Sequence, residues 1–191
     1  MKKKKKEEVN NVQKAFLIML SIATVVFISL YLYFSYYNNS LNNTLKEEGY
    51  DSDKDTDFYE KVETGNTIEE YNQDVKNDKN SEFIKFYVTK ELNNFVEVKM
   101  AHKDGVSTTL NINANLKNDK IDYNYELSYK NTYLIFEGNT DNNYDCHYVV
   151  EENISQETME KHCNYVKDEI EVFIEKKKEF LNNSEISKRI G

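Results

Sequence analysis

The stretch VSTTLNINANLKNDKIDYNYELSY, residues 106–129, decides the fold of the larger part of this chain. Apolar and polar side chains alternate in it twice, over 106–116 and again over 121–129. A period of two residues puts one kind of side chain on each face of a β-strand, so we predict two strands, each with one buried and one wet face. The polar segment Lys117-Asn118-Asp119-Lys120 between them predicts a hairpin turn.

Similar patterns on either side extend this hairpin into a predicted sheet. Lys103-Asp104-Gly105 predicts a second tight turn, and residues 96–102, 133–138 and 144–151 are expected to form further strands. Residues 81–94 fit either a strand or a short helix capped by Ser81, and we favour the strand. Because connections this short join antiparallel neighbours, we expect a β-meander of about five to six strands.

The last element is predicted to be an amphipathic helix that starts near Asn153 and Ser155 and ends near Asn182-Asn183. Its apolar side chains recur every three or four positions, with Lys177 interrupting the series: Met159, Cys163, Val166, Ile170, Phe173 and Phe180. One apolar stripe on a helix and one apolar face on a sheet can cover each other. The predicted fold class of the domain over 81–191 is therefore α+β.

An uncharged run, AFLIMLSIATVVFISLYLYFSYY, occupies residues 15–37. A helix of this length spans roughly 34 Å, enough to cross a hydrocarbon core of about 30 Å. Its hydroxyl side chains, such as Ser21 and Thr24, can bond to carbonyls of the same helix. Residues 1–14 carry six lysines against two glutamates, so the positive-inside rule predicts a basic cytoplasmic tail, a transmembrane helix over 15–37 and an extracytoplasmic domain.

A cleaved signal peptide is the alternative reading of the same run. Signal peptides have an apolar region of about 7–15 residues that ends in small residues. The run here is longer and ends in tyrosines and asparagines. We therefore expect an uncleaved signal-anchor in the lipid bilayer of the cell membrane, whereas cleavage would give a secreted protein.

Residues 38–80 contain only isolated apolar side chains among many acidic ones. So few apolar groups offset little of the conformational entropy lost on folding, and we predict a flexible, largely disordered acidic stalk. The first part, from Leu41 to Glu48, could extend the membrane helix by two turns and stop at Gly49.

The charge of the chain excludes one class of partner. The formal net charge is -9, and residues 38–191 carry 19 basic and 32 acidic side chains. Such an acidic domain repels phosphate groups, so we expect no nucleic-acid partner.

The cysteines and two of the three histidines lie in adjacent pairs, Cys146-His147 and His162-Cys163. These four side chains have the right chemistry for zinc, but paired zinc ligands are usually separated by two to four residues. We favour a Cys146–Cys163 disulfide, since these are the only two cysteines and the predicted compartment permits oxidation.

No catalytic residue and no cofactor is predicted from motifs. The chain has neither a phosphate-binding loop nor a G-x-S-x-G nucleophile motif. Aromatic residues concentrate in the predicted strands, where they could line a binding groove but more often form a core: Tyr123, Tyr125, Tyr129, Tyr133, Phe136, Tyr144 and Tyr148. We predict a membrane-anchored, non-enzymatic module that binds another envelope protein or component; the alternative is a membrane-tethered hydrolase or thiol-dependent enzyme using Cys146 and His147.

Overall fold

A computed structural model describes residues 2–52, 56–65, 67–118, 120–130, 132–139, 147–150 and 155–190. The chain divides into two compact units, residues 1–44 and residues 45–191. The described residues form four helices and one sheet. The helices are α1 (Lys2–Glu47), α2 (Ile68–Lys76), α3 (Gln156–Asn182) and α4 (Ser184–Ile190).

Helix α1 contains a segment, Gln13–Glu47, that is long and apolar enough to cross a membrane. Its most apolar window has a mean hydropathy of 2.5, and none of that window is buried. The Ser21 and Thr24 hydroxyls donate to the carbonyls of Leu17 and Leu20, both at 2.9 Å, as expected for hydroxyls in an apolar helix. The helix ends as predicted before Gly49, which has a left-handed φ of 86°.

The second unit contains an antiparallel sheet whose strand order follows the chain. In the described residues it has eight strands: β1 (Asp51–Ser52), β2 (Phe58–Thr64), β3 (Ser81–Thr89), β4 (Asn94–Lys103), β5 (Val106–Asn115), β6 (Ile121–Tyr129), β7 (Thr132–Asn139) and β8 (His147–Val150). The α+β class and the antiparallel meander are thus confirmed, and residues 81–89 are a strand as favoured.

The turn between β4 and β5 sets the register of the central hairpin. Lys103 pairs with Val106, so only Asp104 and Gly105 form the loop. Both have positive φ, 53° and 78°, which is the backbone that a type I′ turn requires. The register that follows places His102 directly opposite Ser107.

Helix α3 covers one face of the sheet, here called the helix face. Phe95 of β4 lies with its ring centroid 5.4 Å from that of Phe173 and 5.0 Å from that of Phe180. The fully buried stripe of α3 includes Val166, Ile170 and Phe173, as predicted. The helix is capped by Ser155, whose hydroxyl oxygen accepts from the backbone N–H of Thr158, and it ends at Asn182. These contacts confirm the predicted packing of one apolar stripe on one apolar face.

The prediction of a disordered stalk over 38–80 needs correction. Residues 58–64 form β2, which pairs with β3, and residues 68–76 form α2, capped by Thr67. Tyr59 and Tyr71 are only 6% and 5% exposed. Isolated apolar side chains become part of a core here because strands later in the chain supply the surface that buries them. This additional part of the sheet also accounts for the larger number of strands.

Candidate functional site

The sequence-predicted metal and disulfide residues are only partly described. Cys146 lies outside the described residues, and His147 is the first residue of β8, paired with Glu137. His162 and Cys163 lie on α3. The predicted Cys146–Cys163 bridge and the catalytic role considered for Cys146 therefore stay predictions.

His162 packs against the aromatic core of the helix face. Its ring centroid lies 5.8 Å from that of Tyr125 and 6.3 Å from that of Phe136. Its Nδ1 is 3.2 Å from the Tyr125 hydroxyl. Burial lowers the pKa of His162, and the nearby Lys161 lowers it further. The described residues contain no group of three or more potential metal ligands.

Most of the described aromatic residues of β6 and β7 belong to the core. Tyr123, Tyr125 and Phe136 are at most 5% exposed. Tyr123 lies over Gly138, where a side chain would collide with its ring. Tyr129 is 38% exposed, and Tyr133 donates its hydroxyl proton to Glu126. The core reading of the tyrosine-rich strands is the correct one for Tyr123, Tyr125 and Phe136, whereas Tyr144 lies outside the described residues.

A charged network is enclosed between α3 and the sheet. Glu97 of β4 faces the helix, is 3% exposed, and lies 3.8 Å from the Lys176 ammonium. Lys176 also pairs with Glu63 at 2.6 Å, and Lys99 pairs with Glu169 at 2.8 Å. The second Glu97 carboxyl oxygen, Oε2, is buried without a hydrogen-bond partner.

Burial raises the pKa of Glu97, because a charged carboxylate is poorly solvated in the interior. The Lys176 charge opposes that rise, whereas Glu169 adds to it. A small cleft of about 120 Å³ adjoins the network. It is lined by Glu48, Tyr50, Lys61, Glu63, Phe86, Phe95, Lys176, Glu179 and Phe180. Ion pairing within the fold accounts for the charges of Lys176 and Glu63, so we assign no catalytic or ligand-binding role to the network.

The face of the sheet opposite α3, here called the open face, has a different composition. It is formed by Val96, Val98, Met100 and His102 of β4, Ser107, Thr109, Asn111 and Asn113 of β5, and Asp122, Asn124, Glu126 and Ser128 of β6. The three apolar residues are half-buried, while Asn113, Asp122 and Ser128 are exposed. An apolar row on β4 thus lies beside hydroxyl and amide side chains on β5.

A chain of two hydrogen bonds lies at one end of the open face. The His102 ring, 6% exposed, has its Nδ1 2.8 Å from the Ser107 hydroxyl and its Nε2 3.0 Å from the Asp78 carboxylate. A carboxylate can only accept, so Nε2 carries the proton and donates to Asp78. In the neutral ring the other nitrogen, Nδ1, accepts the hydrogen bond of the Ser107 hydroxyl.

Asp78 is positioned by the end of α2. Its N–H donates to the carbonyl of Val75, and the next N–H, of Lys79, donates to the carbonyl of Asp74. This pattern ends a helix with a left-handed residue, usually glycine, but here Asp78 has a φ of 51°. A non-glycine residue in this conformation commonly costs about 1 kcal/mol or more.

Sequence reasoning missed Asp78, His102 and Ser107 as a group. Asp78 is 24 positions before His102, and no short motif joins an aspartate after a helix to a histidine on a strand. The Asp-Gly turn was the one available signal, because its two-residue loop implies that His102 and Ser107 are opposite each other.

Comparison with known proteins leaves function to be argued from these residues. No protein-family model, no curated protein and no solved structure matches this chain.

Proposed function

We propose that this chain is a single-pass membrane protein with its N-terminus in the cytoplasm and residues 45–191 outside it. The observation that supports anchoring is the apolar segment of Gln13–Glu47, whose most apolar window has a mean hydropathy of 2.5 and no buried share. Exposed apolar side chains are energetically favourable in the hydrocarbon core of a membrane and unfavourable in water. The lysines Lys2 to Lys6 support the orientation.

A reporter that is active only outside the cytoplasm, fused after Gly191, tests the orientation. We expect activity from the fusion and resistance of the protein to extraction from membranes by alkaline carbonate. Reporter activity inside the cytoplasm would refute the orientation. A mature chain that lacks residues 1–37, detected by intact mass, would instead show that the segment is a cleaved signal.

We further propose that the domain binds another envelope protein through the open face. The observation that carries this proposal is that α3 covers only the helix face, as its contacts with Phe95 and Tyr125 indicate. The open face combines an apolar row with amide, hydroxyl and carboxylate groups, a composition suited to a partly apolar interface with hydrogen bonds at its rim.

Site-specific photo-crosslinking in intact cells tests the binding proposal. The crosslinker replaces Asn113, which is exposed on the open face, and in a matched control it replaces Glu171, which is exposed on α3. We expect one discrete adduct, identified by mass spectrometry as an envelope protein, from position 113 only. Absence of an adduct at 113, or the same adducts from both positions, would contradict the proposal.

A further inference from the structure

The hydrogen-bond chain at the end of the open face has the connectivity of a nucleophile, a base and an orienting carboxylate. Ser107 donates to His102, and His102 donates to Asp78, by the assignment of protons argued above. Such a set is recognised by its geometry and by the role of each group rather than by its order along the chain. In this chain Nδ1, rather than Nε2, of the histidine faces the serine. The roles are the same, because either ring nitrogen can act as a base when the other carries the proton.

Ser107 belongs to the open face and lies directly opposite His102. Ser107 is half-buried, and its cross-strand neighbour on the other side, Ser128, is exposed. His102 is held at both ring nitrogens and is almost fully buried, which restricts its rotation. Asp78 has a left-handed backbone conformation that glycine would adopt more easily. A glycine at this position, however, would have no carboxylate to accept the hydrogen bond from His102.

We propose that Ser107 is the nucleophile of an acyl-transfer site on the open face, with His102 as its general base and Asp78 as a positioning residue. The Ser107 oxygen attacks the carbonyl carbon of an ester while its proton moves to Nδ1 of His102. The carbon–oxygen bond to the leaving alcohol then breaks, and the alcohol takes that proton from His102. Water, activated by the same nitrogen, hydrolyses the acyl-serine, releases a carboxylic acid and restores the hydroxyl.

The groups present limit the substrate to a reactive ester. General-base assistance contributes roughly 10²–10⁴-fold to such a reaction. An oxyanion donor adds roughly 10²–10³-fold in full hydrolases, and the three groups of this site do not include one. An ester with a good leaving group is therefore the substrate class, rather than an amide.

The neighbouring side chains favour an apolar acyl group. Met100 is the next open-face residue after His102 along β4, and it is followed by Val98 and Val96. All three are half-buried side chains in one row that continues along β4 from His102, the residue opposite Ser107. An acyl chain laid along this row would cover apolar surface, with a gain of about 0.8 kcal/mol per buried methylene. This inference goes beyond partner binding and does not depend on the orientation of the chain in a membrane.

Covalent labelling of the full-length protein in detergent tests the nucleophile. A fluorophosphonate probe is expected to give one adduct per chain on Ser107, located by peptide mass spectrometry. Ser107→Ala should abolish the adduct, and His102→Gln should slow its formation by roughly 100-fold. Ser128→Ala is the matched control and should label at the wild-type rate. Thermal unfolding of each variant checks that it is folded.

Hydrolysis of p-nitrophenyl esters tests the roles of Asp78 and of the apolar row. Asp78→Asn should lower kcat by at least roughly tenfold with KM unchanged, because the asparagine no longer fixes the tautomer and orientation of the His102 ring and does not change ester binding. Val98→Asn should raise KM for a long acyl chain by a larger factor than it raises KM for the acetate ester. No adduct on Ser107 in the folded wild-type protein, or equal labelling of Ser107→Ala, would overturn the proposal.

Discussion

The buried side chain of Glu97 makes the stability of this domain depend on pH. Lys176 is 3.8 Å from one carboxyl oxygen but is already paired with Glu63, and the other oxygen has no partner. Since burial raises its pKa, Glu97 binds a proton more tightly in the folded state than in the unfolded state. The contribution of this carboxyl to stability is therefore greatest at acidic pH and declines as the pH rises through its folded pKa.

We predict that Glu97→Gln stabilises the domain at neutral pH by about 1 kcal/mol, the order of the penalty for an unsatisfied buried group. The gain should shrink as the pH is lowered, because the wild-type carboxyl then takes up a proton. Thermal unfolding of both proteins between about pH 5 and about pH 8 measures the effect. The exposed Glu171→Gln is the control, and a Glu97→Gln protein less stable than wild type at the higher pH would contradict the prediction.

For single residues, the sequence predicted which side chains are buried better than it predicted their ion pairs and hydrogen bonds. Alternation placed Tyr123 and Tyr125 on the buried face correctly, since the pleat of a strand leaves no other choice. The sequence did not indicate that Glu97 is buried on the helix face or that it lies near a lysine of α3. Contacts between distant residues, such as Asp78 with His102, depend on the packing of α2 and have no signature in a single sequence.

Helix α3 is the element on which the helix face depends. Phe173 is fully buried beside Phe95, whereas its neighbour Val172 is 51% exposed. We predict that Phe173→Ala costs about 3–5 kcal/mol of unfolding free energy, through lost burial and the cavity left behind. Val172→Ala should change it by less than about 0.5 kcal/mol. Urea unfolding of the two variants measures the contrast, and similar losses from both would show that α3 is not held by this stripe.

Elements with strong internal periodicity were predictable, and those that depend on a neighbour were not. The helix over 156–182 and strands β5 and β6 carry their own pattern. Strand β2 carries a weaker one, with Phe58 and Val62 exposed on one side and Tyr59 buried on the other. Its hydrogen-bonding partner β3, which places Val88 opposite Tyr59, decides its structure, and this explains why composition alone suggested disorder.

The predicted Cys146–Cys163 disulfide would join the segment before β8 to α3, so it would affect the stability of the whole domain. Closing a loop of about 15 residues removes entropy from the unfolded chain worth about 3 kcal/mol. We expect no free thiol in protein isolated without reductant, and a lower thermal midpoint after reduction. The Cys146→Ser, Cys163→Ser double variant should be insensitive to reductant. Two thiols per chain, titrated under denaturing conditions, would disprove the bridge.

The sequential strand order has a consequence for how the domain reaches its fold. From β1 to β8 each strand pairs with the strand next to it along the chain, and the loops that join the strands from β3 to β7 are short. Short loops lower the contact order. A high contact order is the feature that makes most β-proteins slow to fold. Hairpins can therefore form one after another as the chain emerges during synthesis, each adding to an edge that already exists. Helix α3 follows the strands in that order, and its docking on the helix face buries the apolar side chains of the sheet.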